Sequence, residues 1–254
     1  MAAPVERDRV AYSVPIQLKL PPMPVIRNVL FDAGGTLLDL EYQRLREVLA
    51  AEVPTLTPLP GEFDFARGER DARAWFLAHV QRGLPPADAW NGYFERVLAG
   101  AGVPRTEIPS ILTALWRKNL AEGLWHRPVP DAVATVAALR ARGLRLAVVS
   151  NAEGRVAADL EEAGLAQYFE TIVDSHLVGV SKPDPRIFEI ALARLGASPE
   201  ESVYVGDLYG IDVRGARSAG LYAVLIDRWD LQPDADCPRI ACLGELERTI
   251  DAAI

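Results

Sequence analysis

The sequence predicts an α/β protein in which a doubly wound parallel sheet is interrupted by one all-helical insertion. Between residues 144 and 226, short apolar runs alternate with helical patterns over short links, which is typical of βαβ units. Between residues 40 and 126, apolar residues recur at three- and four-residue steps and no strand-like run intervenes. We therefore expect an N-terminal extension over residues 1–24, an α/β core formed by 25–39 and 127–254, and a helical domain over 40–126.

Each element has its own signal in the sequence. The extension alternates apolar residues with Pro15, Gln17 and Lys19, which is strand periodicity. Proline excludes a central strand, so we expect this segment to lie along an edge or to be disordered. Strands are predicted at residues 25–31, 144–149, 172–173, 203–205 and 222–226 because these runs are aliphatic and β-branched. Helices are predicted at residues 39–51, 62–82, 86–101, 107–124, 132–142, 153–163, 186–195, 212–219 and 243–254, with a stiff linker at 126–130. Glycines just beyond the predicted ends mark four of these helices: Gly143, Gly164, Gly196 and Gly220.

Composition excludes several classes of protein. The chain has 254 residues, of which 50% are hydrophobic and 24% charged, so it can bury a core and carry a smaller second domain. The net charge of −8 argues against a nucleic-acid partner. No apolar run reaches the length of a membrane span, and Cys237 and Cys242 lack the histidines of a zinc site, which favours free thiols. We expect a cytoplasmic monomer or homodimer that binds neither nucleic acid nor membrane.

Polar side chains follow three of the predicted strands where those strands end. They are Asp32, Ser150 with Asn151, and Asp207 with Asp212 five residues further on. In a Rossmann-like parallel sheet the carboxyl ends of the strands lie at one edge, where ligands bind. Lys182 lies in a loop just before a helix and is expected to join them. The sequence therefore predicts three carboxylates, an ammonium group and a hydroxyl at one site.

That set of groups indicates phosphoryl chemistry around a divalent cation. Three neighbouring carboxylates repel one another, and their hard oxygen atoms suit Mg²⁺, which also keeps waters and binds phosphate. Lys182 and Ser150 suit the remaining phosphoryl oxygens. The Gly34-Gly35 turn can bring backbone N–H groups close to an anion, with the hydroxyl of Thr36 beside it. Asp32 is then the candidate nucleophile, giving an aspartyl-phosphate.

Four motifs of this chain, in this order, resemble those of the haloacid dehalogenase superfamily, whose members are mostly Mg²⁺-dependent phosphohydrolases. They are FDAGGT at 31–36, VSN at 149–151, SKPDP at 181–185 and GD at 206–207 with its following acid at 212. The resemblance covers residues 25–226, and the helical insertion resembles the family's cap domain, which closes over the site. It implies that Asp32 is both nucleophile and metal ligand. It also implies metal contacts from the Gly34 carbonyl, Asp207 and Asp212, and phosphoryl contacts from Ser150, Asn151 and Lys182.

One position departs from the phosphatases of this family. They carry a second Asp two residues after the nucleophile, which protonates the leaving group, whereas this chain has Gly34. General acid–base catalysis of this kind contributes about 10²–10⁴-fold. We therefore expect a phosphohydrolase of a small phosphorylated metabolite that is slow, that takes substrates with acidic leaving groups, or that borrows a cap residue or water as the acid.

Other functions remain open at this point. A 2-haloacid dehalogenase also lacks the second Asp and needs no metal, but Asp207 and Asp212 would then form a costly acidic pair. A non-catalytic phospho-ligand or protein-binding descendant could keep the Mg²⁺ site without turnover. A phosphonate hydrolase would need a Schiff-base lysine in the cap, where Lys118 is the only lysine. The aromatic residues of the insertion are expected to form its core, and the candidate substrate contacts are Arg44, Tyr42, His79, Arg117 and Asn119.

Overall fold

The computed structural model describes residues 25–82 and 86–253, so the predicted extension at 1–24 lies outside the described residues. The strands are β1 (Asn28–Phe31), β2 (Leu38–Leu40), β3 (Trp125–Pro128), β4 (Arg145–Ser150), β5 (Thr171–Asp174), β6 (Ser202–Gly206), β7 (Tyr222–Ile226) and β8 (Arg239–Ile240). The α-helices are α1 (Tyr42–Glu52), α2 (Glu62–Gln81), α3 (Pro86–Gly100), α4 (Ile108–Glu122), α5 (Ala132–Ala141), α6 (Val156–Glu162), α7 (Ser175–Val178), α8 (Pro185–Leu195), α9 (Arg214–Ser218) and α10 (Leu246–Ala253).

Six strands form one parallel sheet in the order β5-β4-β1-β6-β7-β8. β1 lies inside it and is buried on both faces. Val29 and Phe31 point into the layer that contains α5, whereas Leu30 points into the opposite layer with Phe188 of α8. Two helical layers therefore cover the two faces of the sheet, and the predicted α/β class is confirmed.

A short antiparallel ribbon joins the core to the helical insertion. β2 pairs with β3, and Asp39 lies opposite Arg127 with an irregularity in the register. The sequence pattern predicted a helix start at residue 39 and an unpaired linker at 126–130; instead both connections are strands, and α1 begins at Tyr42. The segment that leaves the core and the segment that returns to it lie next to each other. Their backbone N–H and C=O groups therefore hydrogen-bond to one another.

The helical insertion has an apolar core of its own. Buried side chains of α1, α2, α3 and α4 form one cluster that is separate from the two layers on the main sheet. Phe65 and Phe94 are fully buried in it, as expected for aromatic residues at helical spacing. Helices α2 and α3 approach closely where Gly68 faces Gly100, because a Cβ at Gly100 would lie 2.6 Å from the Cα of Gly68.

The segment after β6 has a different helix type from the one that the pattern predicts. Tyr209–Val213 is one turn of π-helix, and α9 follows directly. Asp212 therefore lies in the π-turn instead of beginning an α-helix, and π-turns are frequent at functional sites. Among the described residues no helix has both the length and the apolar character needed to cross a membrane, and Cys237 and Cys242 are free thiols.

Candidate active site

Lys182 is the centre of a buried polar cluster beyond the carboxyl ends of β1 and β6. Its Nζ donates to Oδ1 of Asp32 at 2.6 Å, to Oδ1 of Asp212 at 2.8 Å and to the hydroxyl of Tyr204 at 2.8 Å. Burial alone would lower the pKa of Lys182, but Asp212 and Asp32 outweigh it and hold the pKa above its usual value. The ammonium group therefore stays charged and binds the two carboxylates together.

Asp32 follows β1 directly and is 6% exposed. Its backbone N–H donates to the carbonyl of Val205 at 2.9 Å, which continues the ladder between β1 and β6 and fixes the start of the turn. Burial raises the pKa of the Asp32 carboxyl, Lys182 opposes that shift, and the nearby charge of Asp212 adds to it, so the pKa stays above its usual value. Keeping Asp32 ionised, as a nucleophile must be, requires cations close to it.

The two acidic residues after β6 are held very differently. Oδ2 of Asp212 accepts hydrogen bonds from the backbone N–H groups of Asp207 at 3.1 Å and Leu208 at 2.9 Å. Both oxygens of Asp207 are buried, and neither accepts a hydrogen bond from any described residue. Its Oδ2 lies 2.5 Å from Nη2 of Arg73, which reaches down from α2. Burial raises the pKa of Asp207 to about 7, Arg73 opposes this, and Asp32 and Asp212 contribute to it.

The carboxylates of Asp32, Asp207 and Asp212 fit a divalent cation. One oxygen from each lies within 4.8 Å of the others. Apart from the ion pair with Arg73, the buried oxygens of Asp207 have no hydrogen-bond partner among the described residues, and burying unused lone pairs is costly. A set of carboxylate oxygens is the type of ligand set that Mg²⁺ prefers. These three side chains are therefore the residues of the described chain that could hold a metal ion.

Ser150 and Asn151 lie where β4 ends, next to the lysine. The side chain of Ser150 is buried at the end of the strand. The amide of Asn151 donates to the carbonyl of Lys182 at 3.0 Å and accepts from its N–H at 2.8 Å. Asn151 thus fixes the backbone of the lysine loop, an arrangement that spacing alone does not indicate.

The glycine turn after Asp32 uses part of its backbone internally. The N–H of Gly35, at φ +82°, donates to the carbonyl of Leu38 at 2.7 Å, and the N–H of Thr36 donates to Ala33 at 3.2 Å. A Cβ at Gly35 would collide with the carboxylate of Asp207, so only glycine allows this close approach. The hydroxyl of Thr36 is buried and forms no hydrogen bond with a described residue.

One cavity connects this cluster with the helical insertion. Among the residues that the sequence predicts for the site, the cavity is lined by Asp32, Gly34, Ser150, Asn151, Lys182 and Asp212. Gly35 and Asp207 line an adjoining cavity, and Arg73 lines both. Thr36 is not among the lining residues of either cavity. The structure therefore places six of the predicted residues around one cavity and Gly35 and Asp207 around a second, and the two cavities share Arg73.

The insertion closes the cavity with aromatic side chains. We call these residues the aromatic wall: Phe76, Trp90, Tyr93, Trp116 and Trp125. Of the five cap candidates taken from the sequence, Asn119 lines the cavity. Arg44 instead donates to the carbonyl of Gly123 at 2.6 Å, and Tyr42 donates to Glu69 at 2.6 Å. Arg117 forms an exposed ion pair with Glu52, and His79 packs against the ring of Trp75.

Two residues at the site were not singled out from the sequence. Arg73 lies in the polar helix α2, and nothing in its spacing distinguishes it from the other arginines there. Trp125 in β3 packs against Gly34, where a Cβ would lie 3.2 Å from the indole Cδ1. The indole thus stands beside the position where the resemblance leads one to expect the second Asp.

Lys118, the candidate Schiff-base lysine, is held away from the site. It forms ion pairs with Glu47 at 2.9 Å and Glu122 at 2.7 Å and is not among the residues lining the cavity.

Comparisons with known proteins show which sequences and folds this chain is similar to. The chain is similar to phosphoserine phosphatase of Thermus thermophilus, with 36% identity over 222 residues that cover 84% of this chain and 85% of that protein. Its fold is similar to the crystal structure of a HAD phosphatase from Thermococcus onnurineus, with a TM-score of 0.57, 27% identity, and coverage of 89% and 98%. It is also similar to a 2-haloacid dehalogenase from Pseudomonas syringae pv. Tomato DC3000, with a TM-score of 0.53, 25% identity, and coverage of 91% and 100%.

A family model described as haloacid dehalogenase-like hydrolase matches residues 26–220, which span every strand of the main sheet before β7 and the whole insertion. The matched range contains Asp32, Ser150, Lys182 and Asp207. The chain therefore belongs to the haloacid dehalogenase-like hydrolases.

Proposed function

We propose that this protein is a Mg²⁺-dependent phosphohydrolase that cleaves a small phosphorylated metabolite through an aspartyl-phosphate on Asp32. The observation that carries this proposal is the buried cluster in which Lys182 joins Asp32 and Asp212, while Asp207 is paired with Arg73 and accepts no hydrogen bond from the described residues. The similarity to phosphoserine phosphatase supports a phosphate ester as the substrate. A non-catalytic phospho-ligand-binding role would use the same charges, and absence of turnover distinguishes it from this proposal.

Each side chain has a specific part in the proposed reaction. A bound Mg²⁺ would supply positive charge to the phosphoryl oxygens and offset the repulsion between the carboxylates. Asp32, Asp207 and Asp212 would hold it, with the Gly34 carbonyl as a further ligand. An Oδ of Asp32 attacks phosphorus, and Lys182 neutralises charge on both the nucleophile and the phosphoryl group. Ser150 donates to a phosphoryl oxygen, and Asn151 positions the lysine through its backbone.

The leaving group is the point at which this site differs from its relatives. Trp125, an indole without an acidic proton, lies against Gly34. The leaving oxygen therefore departs without a proton from this position, which favours substrates whose leaving group is stable as an anion. Acyl and aryl phosphates meet that condition better than alkyl phosphates do.

Turnover of acetyl phosphate and p-nitrophenyl phosphate by the purified protein tests the proposal. Phosphate release should require Mg²⁺, stop on chelation, and be lost in Asp32→Asn, which keeps the size of the side chain and removes the nucleophilic charge. Asp64→Asn, on the surface of α2, is the matched control and should keep full activity. Release of phosphate at the same rate from Asp32→Asn would rule out this function.

A dehalogenase is a second candidate, and the Gly34–Trp125 contact is the observation that favours it, because a halide leaves without a proton. In that reaction Asp32 attacks carbon and displaces the halide, and the described cations near Asp207 are Arg73, in contact with it, and Lys182. Chloride release from 2-chloropropionate in the presence of chelator would support this candidate. Absence of chloride release together with Mg²⁺-dependent phosphate release would exclude it.

A further inference from the structure

The cavity above Asp32 has two different ends. At the core end, it is lined by Asp32, Ser150 and Lys182, which suit a phosphoryl group. At the insertion end, it is lined by the aromatic wall. One continuous space therefore joins the candidate nucleophile to a surface made of rings.

The aromatic wall is rigid because its rings contact one another across several elements. The ring of Phe76 on α2 lies 4.8 Å from that of Trp90 on α3, centre to centre. Trp90 in turn meets Trp125 on β3 at 5.4 Å in an edge-to-face arrangement of 70°. Trp116 on α4 is fixed by its Nε1–H, which donates to Asn91 at 2.6 Å. A surface held in this way recognises a flat ring without first being ordered.

The charges around the cavity argue against a second anionic group on the part of the substrate that leaves. Cationic lining residues are Lys182 and Arg73, and both lie against the carboxylates of the core. The acidic lining residues near the insertion are Glu153 and Asp159, and Asp159 already binds Arg155 at 2.9 Å. A carboxylate or second phosphate placed there would meet negative charge, whereas a neutral ring would not.

The chemistry of the leaving group independently favours a substrate with an aromatic ring. Trp125 stands beside Gly34, so the ester oxygen receives no proton from residue 34, which favours a leaving group that is stable as an anion. A phenol has a pKa of about 10 and carries that charge far better than an aliphatic alcohol. An aryl phosphate combines such a leaving group with a ring that fits the wall.

We propose that the substrate is an aryl phosphate, a monoester of phosphate with a neutral phenol whose ring packs on the aromatic wall. This inference rests on the proposed function. Asp32 Oδ forms a bond to phosphorus while the bond from phosphorus to the phenolic oxygen breaks, and the phenolate takes a proton from solvent. Water then attacks phosphorus, the bond to Asp32 breaks, and the carboxylate is regenerated as phosphate forms and one proton passes to solvent.

Four substrates separate the effect of the leaving group from the effect of ring binding. They are phenyl phosphate, benzyl phosphate, acetyl phosphate and ethyl phosphate, all assayed with Mg²⁺. Phenyl phosphate should exceed benzyl phosphate in kcat/KM by about 10²-fold or more, because both carry a ring but only phenolate leaves readily. Benzyl phosphate should exceed ethyl phosphate by about tenfold, because both leave as alkoxides and only the former has a ring to bind. Acetyl phosphate, which leaves readily but has no ring, is the reference for the variants below. Benzyl phosphate equal to phenyl phosphate, or ethyl phosphate equal to or above benzyl phosphate, would overturn the inference.

A matched pair of tryptophan variants tests whether the substrate ring packs on the aromatic wall. Trp116→Leu should reduce the ratio of kcat/KM for phenyl phosphate over acetyl phosphate severalfold. Trp75→Leu removes an indole of the insertion that packs against Arg96 and is not among the lining residues, and it should leave the ratio unchanged. An unchanged ratio in Trp116→Leu, or an equal fall in both variants, would contradict a ring on the wall.

The affinity for phosphonates that cannot be hydrolysed tests ring recognition separately from the proposed hydrolysis. Phenylphosphonate and methylphosphonate differ only in the ring, and neither can be cleaved as an ester. Calorimetry with Mg²⁺ should show phenylphosphonate binding at least about tenfold more tightly. Equal affinities would overturn ring recognition even if phosphate esters are hydrolysed, whereas failure of all four phosphorylated substrates would overturn the proposed function and leave this comparison valid.

Discussion

Nη2 of Arg73, in the helical insertion, lies 2.5 Å from Oδ2 of Asp207, in the core. Among the described residues, Arg73 is the cation in contact with that carboxylate. The two side chains are 11% and 6% exposed, so the contact is shielded from water. The same carboxylate is a proposed ligand of Mg²⁺. The guanidinium and the metal ion would therefore compete for Asp207, and the contact links closure of the insertion to the state of the metal site.

Removing this guanidinium should strengthen metal binding. Arg73→Gln should bind Mg²⁺ about tenfold more tightly by calorimetry in the absence of substrate, because the ion no longer displaces a buried cation. Arg117→Gln, which removes an exposed arginine from the same domain, is the control and should match the parent protein. Weaker Mg²⁺ binding by Arg73→Gln would show that the arginine supports the site and does not compete for it.

The affinity for Mg²⁺ should rise with pH through the region around 7. Burial raises the pKa of Asp207 to about 7, so below that pH the folded protein holds a proton where the metal would bind. Metal binding should therefore release a proton at pH 6 and release little at pH 8.5. Calorimetry in two buffers of different ionisation enthalpy measures this release directly. An affinity that is constant between pH 6 and 8.5 would contradict the role of Asp207.

Two lysines with two carboxylate partners each should differ widely in their contribution to stability. Lys182→Met leaves Asp32 and Asp212 buried without their counter-ion and should lower the free energy of unfolding by about 3–5 kcal/mol. Lys118→Met removes ion pairs with the half-exposed Glu47 and Glu122 and should cost about 1 kcal/mol or less. Urea unfolding with chelator present measures both. Similar losses in the two variants would show that the buried cluster is not under electrostatic constraint.

Restoring an acid at residue 34 should require room beside Trp125. A Cβ at Gly34 would lie 3.2 Å from the indole, so Gly34→Asp alone is expected to lower the melting temperature and to give little gain in activity. In a Trp125→Ala background, Gly34→Asp should raise turnover of ethyl phosphate by about 10²-fold, whereas Gly34→Ala should not. A large gain from Gly34→Asp with Trp125 intact would show that the indole does not block this position.

The sequence predicted five of the six strands of the main sheet, because apolar runs mark them, and missed the two-residue edge strand β8. Asp32 and Ser150 end strands whose apolar runs are unmistakable, and parallel strands bring those ends to one edge. Lys182 was predicted from its motif, and the structure places it between Asp32 and Asp212. Each of these residues lies in the sequence at the end of a strand or just before a helix, and that position allowed it to be predicted.

Contacts between distant segments could not be read in the same way. The pairing of β2 with β3 depends on where the chain leaves and re-enters the core, and neither strand has a strong pattern. Arg73 reaches Asp207 only because α2 packs over the sheet, and Trp125 meets Gly34 across the connecting ribbon. Such contacts are fixed by tertiary packing, so an arginine in a polar helix gives no local indication of them.

Trapping of the phosphorylated enzyme tests the central claim most directly. Acid quenching of the protein within milliseconds of mixing with phenyl phosphate and Mg²⁺, followed by peptide mass spectrometry, should show one phosphoryl group on Asp32, and none in Asp32→Asn. Hydrolysis that proceeds without a phosphorylated Asp32, or a phosphoryl group on another residue, would contradict the account.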